Sequence, residues 1–288
     1  MNLISRIAGR LAEEYRRAAD NIAVCRIRLR RQSWPCPKKQ FLLVGCESSG
    51  TTIMARLLFR GGSLRFFREG KDGNEWCWQA YQEIYQGHKS IRDYPRLQLY
   101  DAVKVPGFAA ILSHYVREFP NVSILCTVRD PRDVVASACK TWGVTPDNGL
   151  QSIKWVTESW LDVPEKDPIA RLAWRWRIYL ERSRLVPGVT YVRYEDFCAD
   201  KVHCIMRLAG KLDIEVDEAR IKELCDQQAS LPVTRGYRPK GPGSWREGLL
   251  TDRDIRVIEE ICGDLMEFWN YPKRAANRQC SSSGGTDK

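Results

Sequence analysis

The sequence predicts an α/β fold of three layers, with a central, mostly parallel β-sheet flanked by helices. Three observations carry that expectation. Short apolar runs at 41–45, 99–105, 122–128 and 189–192 have the length of buried strands. Segments with apolar residues three and four apart separate them, as the crossovers between parallel strands require. The 288 residues, 43% apolar and 28% charged, are enough for a core that needs no staples.

In chain order, residues 3–31 place Ile4, Ile7, Leu11, Tyr15, Ala18, Ile22, Cys25 and Leu29 at helical spacing, with a basic opposite face. Residues 1–40 hold ten Lys/Arg against three acidic residues, so most of the +10 net charge sits there and the remainder is near neutral. Such a helix suits an anionic membrane surface, the domain itself or a second subunit. Nucleic acid is not expected, because no aromatic or base-reading pattern accompanies the arginines. Ser33-Trp-Pro-Cys-Pro37 is a linker, since prolines end a helix.

Phe41 to Phe59 then reads as a strand, a loop of small polar residues and a helix ending near Gly61-Gly62. A loop of this kind, opening a helix, can cradle an anion with backbone N–H groups, and the helix dipole favours negative charge there. Gly50 allows close approach, and Ser48, Ser49, Thr51 and Thr52 add hydroxyls. A Walker A loop would carry Lys after the glycine, whereas Gly50 is followed by Thr-Thr. The loop therefore reads as a phosphate site, poorly suited to an ATPase; the alternative is an ordinary helix cap.

Residues 63–98 read as an irregular, aromatic-rich connection. Leu99–Val105 is the second strand, followed by Pro106-Gly107 and a helix to about Glu118. Val122–Val128 is the third strand. Asp130-Pro131-Arg132-Asp133 opens the next helix, with Asp130 at the N-cap, Pro131 in the first turn and Gly143 as the stop. Residues 150–186 are helical and rich in Trp and Arg, a stripe that more often forms core than a ligand platform. After the strand at 189–192 and Tyr194-Glu-Asp-Phe197 come helices near 197–210 and 217–228, a basic Gly/Pro loop from Arg235 to Arg246, and a helix at about 252–269. The expected organisation is an N-terminal helix and linker (1–39), one domain (40–273) and a disordered tail (274–288). The eleven cysteines include no Cys-x-x-Cys pair, which fits reduced thiols and a cytoplasmic setting. No signal-peptide core or membrane span is expected.

Parallel α/β sheets bind ligands at the strands' carboxyl ends. Those ends collect the loop, Lys104, Arg129 with Ser137 on the following helix, and Tyr194. A second basic element, Arg238 to Arg246, adds Lys240 and Gly241. Two separated sets of anion donors suggest a nucleotide phosphorylated at two places. For Arg129 the alternative is an ion pair with Asp130 or Asp133, and for the C-terminal loop a solvated basic turn.

Together, Ser-Ser-Gly-Thr-Thr52, Thr127-Val-Arg-Asp-Pro-Arg-Asp-Val-Val-Ala-Ser137, Tyr194-Glu-Asp-Phe197 and Arg238-Pro-Lys-Gly-Pro-Gly-Ser-Trp-Arg246 resemble the sulfotransferases that use 3′-phosphoadenosine-5′-phosphosulfate (PAPS). The resemblance spans residues 41–246 and implies a P-loop-type fold. It implies a 5′-phosphosulfate site at Ser48–Thr52 and a 3′-phosphate site at Arg129 and Ser137. Lys240 and Gly241 would close over that site, Tyr194 would lie near the adenine, and Lys104 near the transferring sulfuryl group. Where many members carry a histidine two residues after the lysine, this chain has Pro106; other branches use a glutamate in the connection, for which Glu69 stands at the matching distance, with Glu75 and His88 as fallbacks. Members usually carry Lys or Arg where this chain has Ser48. The implied activity is sulfuryl transfer from PAPS to a hydroxyl or amine of a small-molecule or glycan acceptor. Adenosine 3′,5′-bisphosphate (PAP) would be left, and no metal is required. The alternatives are a non-catalytic PAPS-binding protein and, less well supported, a P-loop kinase or ATPase.

Overall fold

A computed structural model describes residues 14–15, 18–22, 24–25, 39–68, 78–144, 163, 167–229 and 241–274. Five strands form one fully parallel sheet: β1 Gln40–Gly45, β2 Phe66–Arg68, β3 Ala102–Lys104, β4 Val122–Val128 and β5 Thr190–Arg193, in the order β2-β3-β1-β4-β5. Every connection is therefore a crossover, and the carboxyl ends of all five strands lie along one edge. β1 is central and pairs with β4 along its whole length, from Gln40 opposite Val122 to Gly45 opposite Thr127. It is buried throughout because both faces of a doubly covered parallel sheet are core.

Alternation along the strands divides the core into two layers. Phe41 and Leu43 face α1 (Thr51–Gly61), α7 (Lys201–Leu212) and α8 (Glu218–Ala229). Leu42 and Val44 face the opposite layer. That layer holds the 3₁₀ segment Pro106–Ile111, α3 (Leu112–Glu118), α4 (Pro131–Trp142), α5 (Pro168–Arg184) and α9 (Asp252–Phe268).

Several boundaries agree with the sequence. β4 spans the expected residues, α1 closes at Gly61-Gly62, and α4 is capped by Asp130 and stopped by Gly143 in the left-handed region. Others differ. The connection after α1 is not wholly irregular: it contains β2, α2 (Trp78–Tyr85) and short 3₁₀ turns at Ile91–Asp93 and Pro95–Leu99. The second expected strand shrinks to Ala102–Lys104, because Leu99 belongs to the preceding turn and Pro106 starts the next. The expected helix at 197–210 is two, α6 (Tyr194–Ala199) and α7, broken at Asp200, whose carboxylate caps the second.

Described residues between 14 and 25 are helical. Asp20, buried, accepts from Tyr100 Oη at 2.7 Å and pairs with Arg65, so this part of the segment rests on the domain. Tyr15 and Ile22 face outward. No helix among the described residues is long and apolar enough to cross a membrane.

Candidate functional site

β1 delivers the loop. Gly45 leaves the strand at φ 143°, and a Cβ there would lie 2.5 Å from Thr127 Oγ1. Only glycine lets β1 hug β4 at this point. Ser49 then folds the loop back: its amide and hydroxyl both donate to the Cys46 carbonyl, at 3.1 and 2.5 Å, and its oxygen sits 2.8 Å from Thr127 Oγ1. Its hydroxyl, expected among the anion donors, is buried and shapes the loop. Ser48 and Gly50 flank it in left-handed conformations, at φ 68° and 88°. Gly50 begins α1 with no side-chain cap, so the N–H groups of the first turn, at Thr51 and Thr52, have no side chain to satisfy them. An uncapped helix start with no acidic residue in its first turn is suited to an anion.

β4 delivers the second half. Arg129 leaves the strand end 95% buried at the side chain. Its Nη1 donates to the Ser48 carbonyl at 2.9 Å, its Nη2 approaches the Gly241 carbonyl at 3.5 Å, and its guanidinium lies 4.6 Å from the centre of the Tyr194 ring. The same ring would meet a Cβ on Gly50 at 2.3 Å. Tyr194 therefore packs under loop and arginine together, so the two expected halves lie against each other. Arg129 Nε is buried with no hydrogen-bond partner, an unmet donor that an anion would satisfy.

Of the two carboxylates that the sequence offers Arg129, Asp133 faces it at 3.7 Å. Asp130 is taken by Arg132, at 2.6 Å, which also reaches Glu259 at 2.7 Å. Asp133 does more than balance charge. It accepts hydrogen bonds from Gly243 N at 2.7 Å, Ser244 Oγ at 2.9 Å and Trp245 N at 3.0 Å. It thus ties the C-terminal loop to the start of α4, which is why Gly241 reaches Arg129. Ser137, one helical turn on, is buried on the same face of α4 as Asp133. Glu195 fixes the other side, accepting from Asp130 N at 3.1 Å and Tyr271 Oη at 2.7 Å.

α5 braces both halves from behind. Trp176 Nε1 donates to the Arg129 carbonyl at 2.9 Å. Arg175, 99% buried, pairs with Glu47 of the loop at 2.5 Å. Burial pushes the Arg175 pKa down, but the charge of Glu47, with Tyr179, Cys46 and the hydrogen bond to Glu47 acting in the same direction, holds the guanidinium well above its ordinary value. Neither partner was a sequence candidate: they lie 128 residues apart, and no local signal joins them. Lys104 ends β3, in register with Leu43 on one side and Arg68 on the other. His88 is exposed on the turn after α2. Glu69, Glu75 and Lys240 lie outside the described residues, as do Trp155 and Trp160.

The sequence matches the model of a family described as "Sulfotransferase family" over residues 59–218, more than half the chain. The match takes in Lys104, Arg129, Ser137 and Tyr194; the loop at 48–52 precedes it. A search of curated proteins finds no match. Among solved structures, sulfotransferase STF9 from Mycobacterium avium superposes with a TM-score of 0.51 at 11% identity, over 84% of this chain and 79% of that one. Mouse sulfotransferase SULT7A1, complexed with PAP, gives 0.47 at 16% identity, over 80% and 85%. A sulfotransferase from Alicyclobacillus acidocaldarius gives 0.37 at 18%, over 81% and 99%. The first of these likenesses establishes a shared fold.

Proposed function

The chain belongs to the sulfotransferase family, and on that premise we propose that it moves the sulfuryl group of PAPS to a hydroxyl or amine of a small-molecule or glycan acceptor, leaving PAP. One observation carries the reading: Arg129, stacked on Tyr194, joins the uncapped start of α1 to the C-terminal loop and still has a buried donor unmet. A nucleotide with phosphate at both ends suits such a site better than ATP, for which the loop lacks its lysine.

In this reading PAPS supplies the sulfuryl group: its S–O bond to the 5′-phosphate breaks as the acceptor oxygen or nitrogen bonds to sulfur, and the leaving phosphate keeps the electron pair. The first-turn amides of α1 with the hydroxyls of Ser48, Thr51 and Thr52 hold the 5′ end. Arg129 and Ser137 hold the 3′-phosphate under Lys240 and Gly241. Tyr194 offers a face to the adenine. Lys104 meets the charge on the moving group, where a preorganised cation acts most strongly. Glu69 takes the acceptor's proton. The free cysteines fit a cytoplasmic setting.

The test is incubation of the purified protein with labelled PAPS and a set of hydroxyl and amine acceptors. Label on an acceptor together with release of PAP is the expected result; ATP hydrolysis with Mg²⁺ and no PAPS binding would overturn the reading. Ser48, where the family usually has a cation, favours one second reading, a PAPS-binding protein that does not transfer. Tight PAPS binding with no labelled product would select it.

A further inference from the structure

Strand alternation sets two cations side by side at the edge of the sheet. In β2, Phe66 packs in the α1 layer and Phe67 in the opposite one; in β3, Ala102 and Val103 divide the same way. With a side-chain period of two, Arg68 and Lys104 both face the α1 layer. They are also register partners, and both strands end there. A third cation comes from α1. Arg56 sits roughly a turn and a half beyond Thr51, half-buried, on a helix that packs against β2 and β3.

Among the described residues, neither Arg56 nor Arg60 has an ion-pair partner. Burial first, then the charges of Arg68 and Arg60, push the Arg56 pKa down. Like charges gathered at a partly desolvated place are costly, and an anion held among them relieves that cost. In the proposed site such an anion is at hand, for Lys104 is the residue assigned to the sulfuryl group.

We propose that Arg68, backed by Arg56, stands beside Lys104 as a source of positive charge for the transferring sulfuryl group, replacing the cation that the loop lacks at Ser48. The cation has moved from the loop to the neighbouring strand end and the loop helix. Arg68 touches the moving group; Arg56 acts through Arg68 by holding the field positive and limiting where its guanidinium can turn. The inference rests on the PAPS reading above.

PAPS and PAP differ by the sulfuryl group alone, so their affinities separate this role from general nucleotide binding. Titration calorimetry on wild type, Arg68→Gln, Arg68→Lys and Arg56→Gln reads both. The expected result is a loss of PAPS affinity of about 10-fold in Arg68→Gln, with PAP affinity unchanged. Arg68→Lys should restore most of it, and Arg56→Gln should show a smaller loss in the same direction. Unchanged PAP binding also reports that each variant folds; if Arg68→Gln does not fold, the same comparison is made on Arg56→Gln. Equal loss of PAPS and PAP, or no loss of PAPS, overturns the proposal and leaves the PAPS reading standing. Failure of the wild type to bind PAP at all overturns the PAPS reading itself.

Discussion

Replacing Asp133 with alanine probes the tether that completes the site. The carboxylate is fully buried and accepts from Gly243 N, Ser244 Oγ and Trp245 N, while facing Arg129. A hydrogen bond to a charged group contributes about 1.5–3 kcal/mol net. Three of them would sum higher than the effect expected, because the loop donors regain water once the loop lifts. Arg129 does not regain water as easily: it stays buried and loses its carboxylate, and breaking a buried pair costs about 3–5 kcal/mol. Asp133→Ala should therefore lower unfolding free energy by about 3–5 kcal/mol. Urea unfolding followed by tryptophan fluorescence measures that loss. Hydrogen exchange at the Gly243 and Trp245 amides should accelerate well beyond the global change, because they lose their acceptor directly. A loss under about 1 kcal/mol, with those amides still protected, would refute the view that Asp133 holds the loop.

Three further outcomes are expected. Glu47→Gln and Arg175→Met should each destabilise by about 3–5 kcal/mol by stranding a buried charge, whereas the double variant should cost clearly less than their sum; strict additivity would show that the pair at 2.5 Å is not coupled. Gly50→Ala should abolish PAP binding, since its φ of 88° and the Tyr194 ring 2.3 Å from the new Cβ displace the loop, and a variant that binds normally would contradict the packing. Burial raises the Cys126 and Cys139 thiols to about 12. The unfolded chain ionises these thiols first, near about 8.5, so this contribution to stability is whole below that pH and drains away as pH rises towards the folded values. Stability rising between pH 9 and 11 (about the middle of that window) would contradict it.

Much of the frame was legible because local rules sufficed. Val122–Val128 is long, apolar and bounded, and Asp130-Pro131 with Gly143 brackets its helix by capping chemistry alone. The uncapped loop-to-helix turn at Gly50 was legible for the same reason. β2 was not, because three residues, Phe-Phe-Arg, are too few to show a period of two. The structural role of Ser49 was not legible, because its hydroxyl meets Cys46 and Thr127, the second 78 residues away. The sequence places Asp133 in a helix-opening run and offers it as an ion-pair partner for Arg129; its hold on residues 243–245 depends on a tertiary contact more than a hundred residues long. Glu47 and Arg175 were invisible for the same reason, and Arg68 gained meaning only when the sheet register set it beside Lys104.

The central claim is a single site that reads phosphate at both ends of a nucleotide, and the affinities of PAP and 5′-AMP test it most directly. These ligands differ only by the 3′-phosphate assigned to Arg129 and Ser137. Two charge-assisted hydrogen bonds predict that the wild type binds PAP about 100-fold more tightly than AMP, and that Arg129→Ala erases most of that margin while leaving AMP affinity almost unchanged. Equal affinity of the wild type for PAP and AMP would contradict the account.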